Sequence, residues 1–185
     1  MSRVQLLNAS EAPIIAQQYF AGGDPGPLVA ALSLVPELLA PTLGFVGAAF
    51  APGSASIRLK EFAILRTSVL QGCQFCINSH SASSLDEGLS TVEVRALRGE
   101  LPLEDGFPSE SERALIGWID ALAGTTGSIP DDVWIIARQY WPEHLLVELT
   151  VTVGATIFLN RFATGFELST ADHVIDRLTG IGLTC

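Results

Sequence analysis

Polar and apolar positions along this chain recur at helical spacing, and capping signals cut the pattern into segments. Residues 57–70 place Phe62, Leu65 and Val69 on a helical repeat. Gly72 breaks that stretch, and a second one over 74–87 is closed by Gly88. Ser90-Thr-Val-Glu93 and Ser109-Glu-Ser-Glu112 read as capping boxes; they open helices over 91–98 and from 109 to 123, the latter stopped by Gly124. Pro130-Asp-Asp begins a helix to about 140, Pro142 a long one through 161 or beyond, and Ser169-Thr-Ala-Asp172 caps a last one to 178. Upstream, Ser10 is predicted to cap a short helix through Phe20, ended by Gly22-Gly23, and Asp24-Pro-Gly-Pro27 opens a second helix. A third runs over 36–50 with apolar residues on all sides, which places it in a core or an interface. Residues 51–56 read as a turn and 99–108 as a loop.

One segment conflicts with propensity. Residues 146–158 are dense in Val, Thr and Ile, which favour strands. About 20 residues without a turn signal exceed strand length, and no partner strand is visible. The segment therefore reads as a buried helix, and the chain as all-α, one domain over residues 1–185.

Composition sharpens this picture. Apolar residues make up 48% of the 185 and charged ones 16%, with a mean hydropathy of +0.39. A chain this apolar must expose the excess, insert it in a membrane or bury it in partners. The apolar runs at 34–51 and 145–159 are interrupted by Glu37 and the prolines 36 and 41, and by Glu148, and a bilayer needs about 20 residues. No basic stretch precedes an apolar one at the N-terminus, so no secretory signal is expected. Self-association through apolar helix faces is the expectation, with no membrane partner. The net charge of −10, with Lys60 as the one lysine, excludes the basic patch that nucleic acid requires. Three cysteines without a signal do not make a secreted disulfide scaffold, so a cytoplasmic location is expected.

Chemistry concentrates between Glu61 and Gly88. Cys73 and Cys76 form a C-x-x-C, and His80 follows four residues later on the same helical face as Cys76. If the chain turns near 70–72, the flanking helices pack antiparallel. The midpoint of 61 and 80 falls between Leu70 and Gln71, so Glu61 comes to lie opposite His80. The expected line is Glu61, His80, Cys76, Cys73. A thiol of pKa about 8.5 is mostly protonated at neutral pH, and a helix N-terminus and an imidazole both favour its thiolate. A carboxylate on the far ring nitrogen orients the imidazole, and a second cysteine resolves an oxidised first one as a disulfide. The alternatives are blander. A lone C-x-x-C also serves metal sites, but zinc needs four ligands, and the remaining donors, His144, His173 and Cys185, stand isolated. No metal or cofactor is expected. Glu61 alone would read as a surface acid and His80 alone as a packing histidine.

The pattern E-x11-C-x-x-C-x3-H, with Gly72 before the first cysteine, "EGLS" downstream and Asn160-Arg-Phe162 late in the chain, resembles the alkylhydroperoxidase D-like (AhpD-like) and carboxymuconolactone decarboxylase family over about residues 28–165. The resemblance implies an all-α AhpD-like helical domain, with a helix hairpin carrying the C-x-x-C, that assembles into trimers or hexamers. It also implies a thiol peroxidase with catalytic Cys76, Cys73, His80 and Glu61, regenerated by a lipoyl or thioredoxin-type dithiol. The chain departs from the founding peroxidases at Phe75, where they carry a second histidine. Decarboxylase-branch members lack the cysteine pair, which argues against a lyase.

The reading is a hydroperoxide-reducing dithiol oxidoreductase in which Cys76, facing His80, attacks and Cys73 resolves. Its alternatives are a redox-responsive interaction protein without turnover and a decarboxylase-type lyase using Glu61 and His80. Trp118, Trp134 and Trp141 read as core or interface, and Arg161 as a partner for a buried acid, such as Glu148 across an interface.

Overall fold

The computed structural model describes residues 2–124 and 127–183, all helix, turn and loop. Its helices are α1 (Pro27–Leu32), α2 (Pro36–Phe50), α3 (Ile57–Leu70), α4 (Gln74–Asp86), α5 (Thr91–Leu97), α6 (Leu103–Gly106), α7 (Glu110–Gly124), α8 (Asp131–Tyr140), α9 (Glu143–Gly165) and α10 (Asp172–Gly180). The all-α expectation holds, and so do the boundaries of α2 and α3. Cys185 lies outside the described residues.

α3 is the hub. It packs on α4, α9, α7 and α5, and Phe62, Ala63, Ile64 and Leu65 are all buried within it. The β-branched run of α9 is helical because helix packing, rather than propensity, decides its state; Leu146, Leu149, Val153 and Ala155 face the core. At 23 residues, α9 is long and apolar enough to cross a membrane by length and composition, but half of that stretch is buried inside the protein. Trp118 is buried, donating to Thr150 Oγ1 at 3.3 Å, and it packs on Trp134. Trp141 Nε1 donates to the Ser111 carbonyl at 2.7 Å.

Three expectations need correction. Residues 10–20 form turns and a 3-10 helix, Gln17–Phe20, instead of an α-helix. Pro13 lacks an N–H and disfavours the helical region for Ala12, while Asn8 Oδ1 accepts from the Ser10 backbone and hydroxyl and closes a local turn. The 99–108 loop contains the single turn α6. α10 is preceded by Ala171 without a side-chain cap; Thr170, predicted to lie within the cap, receives the Asn78 amide at 3.3 Å.

The apolar α2 buries little besides Leu39 and Ala49. Leu38 and Phe45 are about half exposed, as are Val147 and Phe158 on α9. The C-terminal end of α2 is held by a buried charge. Lys60 is 2% exposed; its Nζ donates to Ala49 O at 3.0 Å and to Ala51 O and lies 2.7 Å from Glu148 Oε1. Glu148 Oε2 accepts from the backbone N–H groups of Ser54 and Ala55. Within the chain, Glu148 is therefore paired with Lys60. A Cβ at Gly53 would collide with the Glu148 carboxylate, so the 51–56 turn closes on this pair.

The Lys60 hydrogen bond, aided by the Ala55 and Ser54 amides and opposed by burial, holds the Glu148 carboxyl below its ordinary value of 4.5. A depressed carboxyl stabilises the fold above that value and loses its contribution as pH falls through the lowered one. Urea midpoints measured across acid pH should therefore fall more steeply for the wild type than for Glu148→Gln. Lys60→Met, which strands the acid, should cost about 3 kcal/mol at neutral pH, read from the same denaturation curves.

Candidate active site

The site is built on the α3–α4 hairpin. α3 ends in a left-handed residue, Gly72 at φ 65°. The Gly72 N–H donates to Val69 O at 3.0 Å and the Cys73 N–H to Ser68 O at 3.1 Å, the paired bonds of a Schellman cap. Cys73 then serves as N-cap of α4, and its Sγ accepts from the Cys76 N–H at 3.4 Å. One residue thus closes one helix and opens the next, which fixes the antiparallel register of the hairpin.

That register delivers the predicted pairing. His80 Nδ1 lies 2.9 Å from Glu61 Oε2, both side chains being mostly buried. The carboxylate accepts from Nδ1–H, which leaves Nε2 to give or take a proton. Phe50, at the end of α2, packs edge-on against the ring at 6.1 Å. The Lys60–Glu148 clamp that fixes the end of α2 therefore also places a wall of the imidazole.

Cys73 and Cys76 form a disulfide with their Cα atoms 5.3 Å apart. Of the expected four-residue line, both outer links are present. The middle link is one of position only: Cys76 and His80 share a face of α4, and no hydrogen bond joins the ring to either sulfur in this oxidised form. The cysteines also differ in what favours their thiolates. Cys73 receives the N-terminal amide of α4, and Cys76 has His80 one turn away.

Both cysteines are buried, at 1% and 5% exposure. Ala31, Ala163, Leu168, Val4, Leu28 and Phe162 surround them. A cavity of about 200 Å³ abuts the hairpin turn, lined by Gly72, Cys73, Phe75, Thr164, Glu167 and Leu168. Asn160, noted in the sequence only as part of a resemblance, is buried one turn before Ala163. Its Nδ2 donates to Ser68 Oγ at 3.1 Å, while its Oδ1 has no partner among the described residues. Sequence reasoning missed Phe50 and Glu167, because each reaches the site from a distant element with no motif of its own, and Lys60, whose partners Ala49 and Glu148 lie on other elements. His144 and His173 are exposed on α9 and α10, away from this cluster.

The all-helical fold is similar to that of AhpD-like proteins of known structure. Residues 36–121 match the sequence model of the Carboxymuconolactone decarboxylase family, so the resemblance read from the cassette holds. No curated protein sequence matches the chain. Among solved structures, it is similar to an Agrobacterium tumefaciens protein of unknown function of the antioxidant-defence AhpD type. The two are 29% identical, with 76% of this chain and 94% of that one covered, at a TM-score of 0.68. A peroxidase-related protein with an alkylhydroperoxidase AhpD core, from Ralstonia eutropha JMP134, shares 15% identity over 94% of each chain at a TM-score of 0.79. The debrominase Bmp8 shares 19% identity over 97% of each chain at a TM-score of 0.76; these last two likenesses concern the fold alone. The family and fold together support a peroxidase-related or decarboxylase-like enzyme.

A Cβ at Gly72 would meet no neighbouring atom, so replacing it tests the backbone alone. Gly72→Ala should lower stability by about 1–2 kcal/mol, and Gly72→Asn, which tolerates the left-handed region, by less. Equilibrium urea denaturation of the oxidised protein measures both.

Proposed function

We propose that this protein is a thiol-dependent peroxidase that cycles Cys73 and Cys76 between dithiol and disulfide. The observation that carries the reading is a cysteine pair, close enough to be bonded, on the helix whose next turn presents an imidazole held by a carboxylate. In the reduced form, the Cys76 thiolate attacks a peroxide oxygen. The O–O bond breaks, and the departing oxygen takes a proton from the His80 side, leaving a sulfenic acid on Cys76. The Cys73 sulfur then displaces that hydroxyl as water, and the disulfide forms. An external dithiol of lipoyl or thioredoxin type returns two electrons. Phe75, half-buried beside the cysteines, has no proton to pass, so Glu61 and His80 are the one relay in this scheme.

The reading extends to assembly and location. The half-exposed apolar residues of α2 and α9 suit a homo-oligomer, and the dithiol chemistry suits a reducing cytoplasm.

Stopped-flow oxidation of the reduced protein by hydrogen peroxide and by an organic hydroperoxide tests the chemistry. The wild type should react faster than free cysteine, Cys76→Ser should not react, and Cys73→Ser should stop at a trappable sulfenic acid. His80→Ala should slow the first step by about 10²-fold, the usual worth of a positioned acid–base group. Wild-type rates no faster than free cysteine would reject the peroxidase assignment. For assembly, Leu38→Glu with Phe45→Glu should lower the sedimentation coefficient of the wild-type species to that of a monomer.

A further inference from the structure

A segment that the chemistry above does not use packs against the apolar cluster around the disulfide. The backbone from Ser2 to Asn8 runs across the C-terminal end of α9. The Arg3 N–H donates to Phe166 O at 3.0 Å, Ser2 Oγ to the same carbonyl at 3.1 Å, and Arg3 Nη1 to Gly165 O at 3.2 Å. These carbonyls belong to the helix end, where intrahelical donors run out. Val4, the next residue, packs into the apolar cluster that encloses Cys73 and Cys76. Further along, the Leu7 N–H reaches Ala30 O at 3.4 Å, next to Ala31 in the same cluster.

The receiving end is itself unusual. α9 ends in a Schellman cap, with Glu167 N–H to Thr164 O at 3.3 Å and Leu168 N–H to Ala163 O at 3.0 Å. Its left-handed position is occupied by Glu167, at φ 52° the one non-glycine residue of positive φ among those described. Glycine is the usual occupant, as Gly72 is at the end of α3. Here a side chain takes its place, and its carboxylate lies 2.5 Å from Arg3 Nη2. The same Glu167 lines the cavity beside Cys73. The one strained residue thus combines the latch of the segment with the wall of the entrance.

We propose that residues 2–7 are a strap closing the entrance to the Cys73–Cys76 disulfide, latched by the Arg3–Glu167 pair, and that its release admits the external dithiol. This rests on the dithiol reading above. In the open form, one thiolate of the dithiol attacks the Cys73 sulfur, which faces the cavity. The S–S bond breaks, and Cys76 leaves as a thiolate beside His80. The second thiol then displaces Cys73 from the mixed disulfide. The reductant ends as its own disulfide, and its two protons end on the two cysteines. The latch is solvent-exposed on both sides, at 61% and 51%, so it is weak and salt-sensitive, as a device that must open in every cycle requires. The strap also selects. A reductant that reaches the sulfurs must either displace the latch or enter a cavity of about 200 Å³.

The test is the second-order rate of reduction of the oxidised full-length protein by dithiothreitol, followed by quenched thiol labelling. Arg3→Ala should raise it about 1.5- to fivefold, the population change that losing an exposed ion pair brings. Glu167→Gly removes the latch while placing the favoured residue in the helix cap, and should accelerate reduction similarly without lowering the melting temperature. The double exchange Arg3→Glu with Glu167→Arg should restore slow reduction. High salt should speed the wild type and leave Arg3→Ala unchanged. Wild-type rates in both single variants would overturn the strap. This readout needs no peroxide, so fast reduction without peroxide turnover rejects the peroxidase and keeps the strap, whereas turnover with unchanged reduction does the reverse.

Discussion

One left-handed residue sets the geometry on which the site depends. At Gly72 the chain reverses, the unpaired carbonyls of α3 find donors, and the next residue caps α4. A tighter or looser connection would rotate or slide one helix against the other, and a carboxylate and an imidazole 19 residues apart in sequence would no longer meet at 2.9 Å. The turn also couples bonding to chemistry, since the sulfur that receives the α4 amide is one half of the disulfide. Local hydrogen-bond accounting at two helix ends therefore places all four chemical groups.

Around this hairpin, the fold spends buried charge on holding second-rank elements in place. Lys60 and Glu148 join α3 to α9 and to the chain after α2, and that anchoring puts Phe50 against His80. Arg66 performs a similar task at the far side, bridging bidentately to Asp120 and to the Leu97 carbonyl. The proton-carrying pair is thus backed by charge-anchored elements, whereas the sulfurs are packed by apolar side chains, Val4 of the N-terminal segment among them. Under the proposed thiol chemistry, the first side would hold a base in place and the second would be where a reductant enters.

Much of this was legible in the chain. The ends of α2 and α3, the capping box of α5 and the glycine stop of α4 follow from short-range rules, because each depends on backbone groups within a few residues. The Glu61–His80 contact was legible too, since a tight turn makes a long-range contact a matter of counting. The failures have different causes. Ser10 is drawn into a local turn by Asn8, two residues away, in a stretch where Pro13 already disfavours a helix. Thr170 is instead taken by Asn78 for a bond across the fold, a partner remote in sequence that no window of neighbours reveals.

By itself, then, the sequence determined the helical class, the hairpin, the pairing of a carboxylate with a histidine and the spacing that lets two cysteines bond, because periodicity, caps and one turn suffice for these. Only the tertiary structure decided what packs over the sulfurs, why the lone lysine is buried, and that Glu148 pairs with Lys60. It also decided that a glutamate, where helix ends favour glycine, meets an arginine from the opposite end of the chain. Those outcomes depend on which surfaces of distant elements are brought together, and burial energies, summed over the whole core, settle that choice.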